Sequence, residues 1–209
     1  MRLLLLSLGI GSVPEFLAVV SPRSAGPLRL AYVGDAARPF VEESFVQAER
    51  EQLSALGHDL IDTSLGDLSP AGVAAVLDTT DAVYVAGGST FALLAAMRTS
   101  GADKVLVERV RAGLPYIGSS AGSVVAGPSI EPVSLMDDPA DAPGLTDRTG
   151  LGLVDTVVIP HADGALPPYP PTLIAETVQR YQRSYPLTLL EDDQALLVDG
   201  AGSRVVPSA

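Results

Sequence analysis

Ser120 lies in Gly118-Ser119-Ser120-Ala121-Gly122, a Gly-x-Ser-x-Gly run that follows the short apolar stretch Tyr116-Ile117 and opens a segment of small residues. Glycines two places either side of a serine suit a sharp strand-to-helix turn, because the missing Cβ atoms let the backbone fold back and leave the hydroxyl exposed. The chemistry such a turn supports is nucleophilic attack on a carbonyl. The N–H of Ala121 would face the developing oxyanion, since the first amides of a helix have no internal acceptor and lie at the positive end of its dipole. Turns of this kind also bind phosphate or merely close a fold, so the serine needs partners elsewhere in the chain.

A serine hydroxyl is a weak nucleophile until a base within hydrogen-bond reach takes its proton, and that base must itself be oriented by a third group. Two histidines are available. His58 follows Gly57 at the expected end of a helix, where an imidazole usually satisfies helix C-terminal carbonyls. His161, in Pro160-His161-Ala162-Asp163-Gly164, closes a β-branched stretch and is the expected base. Candidates for the orienting acid are Asp192 and Asp193 in a turn near the C-terminus and Asp137 and Asp138 in a long loop; spacing does not choose among them. With no cysteine and no second histidine near His161-Ala162-Asp163, no metal is expected.

Composition narrows the partners. The 209 residues carry 25 acidic against 13 basic side chains, a net charge of −12, with Lys104 the only lysine. That balance argues against a nucleic-acid backbone or an anionic membrane as partner. A hydrophobic content of 47% is ample for a continuous core, and the length suits a single domain over 1–209. The opening Leu3-Leu4-Leu5-Leu6 run reads as a buried parallel strand rather than a signal peptide, and no stretch is long enough to span a bilayer. A cytoplasmic location is expected.

The elements that must position Ser120 and His161 alternate. After the first strand and a short helix within 15–20, residues 28–33 form an apolar strand. Residues 41–56 then form an amphipathic helix, with Phe45, Ala48, Leu53 and Leu56 inward and Glu42, Glu43, Glu49, Arg50 and Glu51 in solvent. A third strand spans 58–62, and a helix capped by Ser69 and started by Pro70 runs to about 77. The fourth strand, 81–86, ends on Gly87-Gly88-Ser89-Thr90-Phe91. Helices to about 97 and over 103–111 lead into the serine strand. Beyond it come a Pro- and Asp-rich excursion over 128–150, a strand over 154–159, a helix over 172–183, and short strands ending in a β-hairpin. This alternation predicts an α/β fold with a doubly wound, mostly parallel sheet and flanking helices. Ligands bind such sheets beyond the carboxyl ends of the strands, so Gly87-Gly88 and the serine turn would share a crevice if their strands are neighbours.

Taken together, Gly87-Gly88-Ser89-Thr90-Phe91-Ala92-Leu93-Leu94, Gly118 to Gly122, Pro160-His161 and Asp192-Asp193-Gln194-Ala195-Leu196 resemble the peptidase E family of S51 serine peptidases, which includes aspartyl dipeptidase and cyanophycinase. The resemblance spans nearly the whole chain. It implies a sandwich related to class I glutamine amidotransferases, of the flavodoxin-like kind, and a cofactor-free intracellular hydrolase of short peptides, monomeric or homodimeric. It further implies Ser120 as nucleophile, His161 as base, Gly88 and Ala121 as oxyanion donors, Ser89 and Thr90 as substrate contacts, and Asp192 or Asp137 as third member, with Asp192 preferred. Two departures bear on specificity. Ser89 replaces the family's usual asparagine, and residues 162–172 lack the arginine that reads the substrate aspartate in aspartyl dipeptidases. Tolerance of neutral or apolar N-terminal residues is therefore expected instead of strict Asp-X cleavage. The alternatives are a cyanophycinase-like hydrolase of β-Asp-Arg and a non-catalytic peptide-binding relative.

Overall fold

The computed structural model describes residues 1–20, 26–40 and 44–209. Strands β1 (Leu3–Leu6), β2 (Arg29–Val33), β3 (Asp59–Thr63), β4 (Ala82–Val85) and β5 (Tyr116–Ser119) pair in parallel, and β8 (Gln194–Asp199) and β9 (Gly202–Pro207) add an antiparallel hairpin. The order across the sheet is β3-β2-β4-β5-β1-β8-β9.

The Leu3-Leu4-Leu5-Leu6 run is apolar at every position because both faces of β1 are covered. Side chains alternate across a strand, so Leu3 and Leu5 join one hydrophobic cluster while Leu4 and Leu6 join the other. Helices α1 (Val13–Val20) and α2 (Ser44–Ser54) supply Val13, Phe16, Leu17 and Leu53 to the second cluster. The opposite face is covered by α3 (Pro70–Leu77), α4 (Thr90–Ser100), α5 (Ala102–Arg111) and α6 (Ala121–Val125) through Val73, Leu93, Leu106 and Val124, among others. The sheet is thus doubly wound and mostly parallel, as its alternating elements predict. Among the described residues no helix is long and apolar enough to cross a membrane.

Two expectations need correction. The strand before His161 is β6 (Val157–Ile159), and it pairs with β7 (Leu187–Leu189) in a separate two-stranded sheet rather than joining the main one. The second concerns α2, whose described part starts at Ser44; Val41, Glu42 and Glu43 lie outside the described residues. Its inward face is rotated from the expected one. Phe45 is exposed and packs beside Phe40, Ala48 is also exposed, and Glu49 turns inward above Leu53. Glu49 and Leu53 are one helical turn apart and share a face. Counting the glutamate as solvent-facing by its charge alone hid that.

Register brings the functional turns level with one another. Val85 lies opposite Gly118, which carries Gly87 to the height of Ser120; Leu6 lies opposite Ser119, which brings Ser7 there from the other side. Three neighbouring strands therefore end on the same crevice.

Candidate active site

Ser120 joins β5 to α6 with φ 45° and ψ −106°, and His161 follows β6 with φ 58°. Among the described residues these are the only non-glycine residues with positive φ. For a residue with a Cβ, such a backbone conformation costs about 1–3 kcal/mol and persists only where the surroundings impose it. Around Ser120 they do. A Cβ at Gly122 would strike the Val85 carbonyl, so only glycine lets α6 close onto β4 directly behind the serine.

The two strained residues meet. Ser120 Oγ lies 3.0 Å from His161 Nε2, and His161 Nδ1 lies 2.6 Å from Asp192 Oδ1. A carboxylate at Nδ1 holds the proton on that nitrogen and leaves Nε2 as an acceptor for the serine hydroxyl. His161 is 3% exposed and the Asp192 side chain 19%, so little water competes for either bond. Asp192 lies in the turn between β7 and β8, and β8 is hydrogen-bonded to β1, so the acid and the serine turn are held by adjoining parts of the main sheet.

Three residues that the sequence does not flag complete the setting. Ser7, at the end of β1, is fully buried; its Oγ accepts the His161 backbone N–H at 2.8 Å and lies 3.2 Å from the Leu190 carbonyl and 3.4 Å from Asp192 Oδ1. It fastens the strained backbone of the histidine to the strand that neighbours β5. Tyr169 stacks flat on the imidazole, with ring centroids 4.8 Å apart and 7° between planes. Glu49 accepts from the Gly87 N–H at 3.1 Å and from the Tyr84 hydroxyl at 2.9 Å, and also bonds the Ser119 hydroxyl. Burial pushes its carboxyl above the usual range, and the three donors counter that only in part. Ser7 carries one signal a sequence reader could use: it is the first polar residue after an apolar strand.

Gly88 has φ 132°, and a Cβ there would strike the Ala36 carbonyl. The Ser89 N–H donates to that same carbonyl at 2.8 Å. The Gly87-Gly88 turn packs beside the Ser120 side chain. Among the described residues neither the Gly88 N–H nor the Ala121 N–H has an acceptor, although Ala121 is buried. Buried donors are nearly always paired, so the free buried amide next to Ser120, with the unpaired Gly88 amide in the adjoining turn, is suited to an anionic oxygen.

Other candidates fall elsewhere. Ser89 caps α4, its Oγ accepting from the Ala92 N–H at 3.2 Å. Thr90 lines a cavity of about 10 Å³ with Ser120, Val133, Met136, Asp137 and Tyr169. Asp137 does not touch the imidazole nitrogens; its Oδ2 accepts from the Thr90 N–H at 2.9 Å. Asp138 accepts from the Ala140 N–H on the surface. His58 accepts the Leu28 N–H at its Nδ1 instead of serving helix carbonyls. Arg148 pairs with Glu131 and lies over the Phe91 ring, and neither it nor Arg180 nor Arg183 lines the cavity. A wider open depression of about 700 Å³ near Arg148 and Tyr185 contains neither Ser120 nor His161.

A doubly wound sheet with a strained serine turn, a carboxylate-backed imidazole and two free amides defines a serine hydrolase. Residues 14–206 match the model of peptidase family S51, and the chain belongs to that family of serine peptidases. It is 34% identical over 154 residues to the uncharacterized peptidase Lin0382 of Listeria innocua, covering 74% of this chain and 72% of that one. Peptidase E of Streptomyces coelicolor is 44% identical over 85 residues, which span 41% of this chain and 33% of that protein. A crystal structure from Listeria monocytogenes EGD-e, assigned provisionally to peptidase E, superposes with a TM-score of 0.86 at 27% identity, over 100% of this chain and 98% of that one.

Proposed function

We propose that the chain is a serine exopeptidase that hydrolyses the bond after the N-terminal residue of short peptides, with Ser120, His161 and Asp192 as its triad. The observation that carries this reading is the continuous Ser120–His161–Asp192 hydrogen-bond chain, built on the two strained residues. Ser120 Oγ attacks the peptide carbonyl carbon as His161 Nε2 takes the hydroxyl proton. Asp192 stabilises the imidazolium, and the Gly88 and Ala121 N–H groups hold the oxyanion. The tetrahedral adduct collapses as the imidazolium gives its proton to the leaving amine, and the C–N bond breaks to leave an acyl-serine. Water, deprotonated by the same imidazole, hydrolyses that ester and restores the hydroxyl.

The wall beside Ser120 favours neutral N-terminal residues. It includes Val124, Val133, Met136 and Pro160 and the carboxyl of Asp137, with no arginine. An aspartate side chain there would be desolvated without a cation, which is strongly unfavourable. A panel of X-Leu dipeptides tests both points. Ala-Leu and Gly-Leu should be cleaved in preference to Asp-Leu, and Asp192→Asn should lower kcat by about 10⁴-fold, as expected when the wrong imidazole tautomer faces the serine. Exclusive cleavage of Asp-Leu would overturn the specificity, and full activity of Asp192→Asn would overturn the triad.

A further inference from the structure

Asp137 is a carboxylate without a countercharge in a position where a peptide substrate brings one. It lines the same small cavity as Ser120 and His161, and no lysine or arginine shares that wall among the described residues. Its surroundings are neutral: the Thr90 N–H donates to Oδ2 at 2.9 Å, and the Thr90 and Tyr169 hydroxyls lie close by. An ionised carboxylate offers about four acceptor places, so room remains for a further donor. Asp137 is not needed as the acid of the triad, because Asp192 already occupies His161 Nδ1.

We propose that Asp137 binds the free α-ammonium of the substrate's N-terminal residue and is the residue that makes the site specific for chain ends. The proposal rests on Ser120 as nucleophile. In a peptide attacked after its first residue, the α-nitrogen is two bonds from the reacting carbon, about 2.5 Å away, and that carbon approaches Oγ to about 3–3.5 Å. The ammonium therefore lies within about 6 Å of Oγ, on the side of the site where Asp137 and Ser120 share a wall. The imidazole cannot serve it, being engaged by Ser120 and Asp192. A longer chain would place a neutral amide there instead of a cation, leaving the Asp137 carboxylate without a countercharge.

The charge arrangement around Asp137 agrees. Burial drives its carboxyl upward, Asp141 adds to the shift, and His161 and the two Thr90 donors oppose it. A bound ammonium supplies the cation that this wall lacks. The same arrangement explains why an acidic N-terminal side chain is unwelcome, since it would sit beside a like charge. Tyr169 connects the two halves of the site, with its ring stacked on the imidazole and its hydroxyl close to the ammonium-reading carboxylate.

The test compares alanine p-nitroanilide with its N-acetyl counterpart in the wild-type protein and in Asp137→Asn, whose side-chain oxygen can still accept the Thr90 N–H. The wild type should favour the free amine by about 100-fold or more in kcat/KM. In Asp137→Asn that ratio should fall to within about threefold of unity, mainly through a rise in KM for the free amine. If the wild type hydrolyses both equally, the exopeptidase reading falls together with this one. If the wild type discriminates and Asp137→Asn keeps the full ratio, only the assignment to Asp137 is overturned. Equal losses of kcat on both substrates in Asp137→Asn would instead place Asp137 in the proton-transfer machinery. Should the variant fail to fold, Tyr169→Phe, which removes a hydroxyl beside the carboxylate, should shift the wild-type ratio by at least threefold; an unchanged ratio would count against the proposal.

Discussion

Replacing Ser120 by glycine should leave the protein more stable than replacing it by alanine, although both variants lose the hydroxyl. At φ 45° and ψ −106° a Cβ is strained and a glycine is not, which favours glycine by about 1–3 kcal/mol. Against this, glycine loses more backbone freedom on folding, about 0.5–1 kcal/mol relative to alanine. The balance is about 1 kcal/mol in favour of Ser120→Gly. A chain of 209 residues unfolds with an entropy of about 0.44 kcal/mol/K, so the glycine variant should melt about 2 °C above the alanine variant. The control is Ala112→Gly, at an exposed position with φ −74°, where the same entropy acts without strain relief and Tm should fall by about 1–2 °C. Calorimetry at one pH reads all three. If Ser120→Ala melts at or above Ser120→Gly while Ala112→Gly behaves as expected, Ser120 stores no backbone strain and the argument from its conformation is refuted.

Two further perturbations probe the residues that hold the site. Glu49→Gln should flatten the dependence of stability on pH. Because burial raises the folded-state pKa of Glu49 above an unfolded value of about 4.3, its stabilising contribution is complete below that value and is lost as pH rises through the folded one. Melting temperatures of the wild type should therefore drop more steeply above about pH 4 than those of Glu49→Gln, and parallel curves would contradict the account. Ser7→Ala leaves the buried His161 N–H without its acceptor, a loss of about 1–3 kcal/mol in stability. It should also lower kcat by about 10–100-fold with KM little changed, as expected for the orientation of a catalytic group; an unaltered kcat would show that Ser7 does not orient the histidine.

What could be read from the sequence follows the range over which each residue's neighbours act. Ser120 is legible because the glycines that permit its turn are two residues away, and the free amide of Ala121 is the next one. The Leu3–Leu6 strand declares itself because burial on both faces removes every polar position. Choosing between Asp137 and Asp192 depends on how a loop and a turn pack around an imidazole 24 and 31 residues away, which no local pattern encodes. Tyr169 is hidden in a proline-rich stretch whose composition suggests only a helix start. Glu49 is misread for a physical reason. A charged residue on an amphipathic helix normally belongs in water, and what draws this one inward is a backbone N–H and a tyrosine hydroxyl on a different strand-turn unit.

The most direct measurement is covalent labelling of the protein with a fluorophosphonate, followed by mass spectrometry of the digested chain. A single phosphonyl group should appear on Ser120 in the wild-type protein, and labelling should slow by at least about 10²-fold in His161→Ala, the lower range for losing a positioned base. Modification of another residue, or equal labelling rates in the wild type and His161→Ala, would contradict the claim that the imidazole activates this serine.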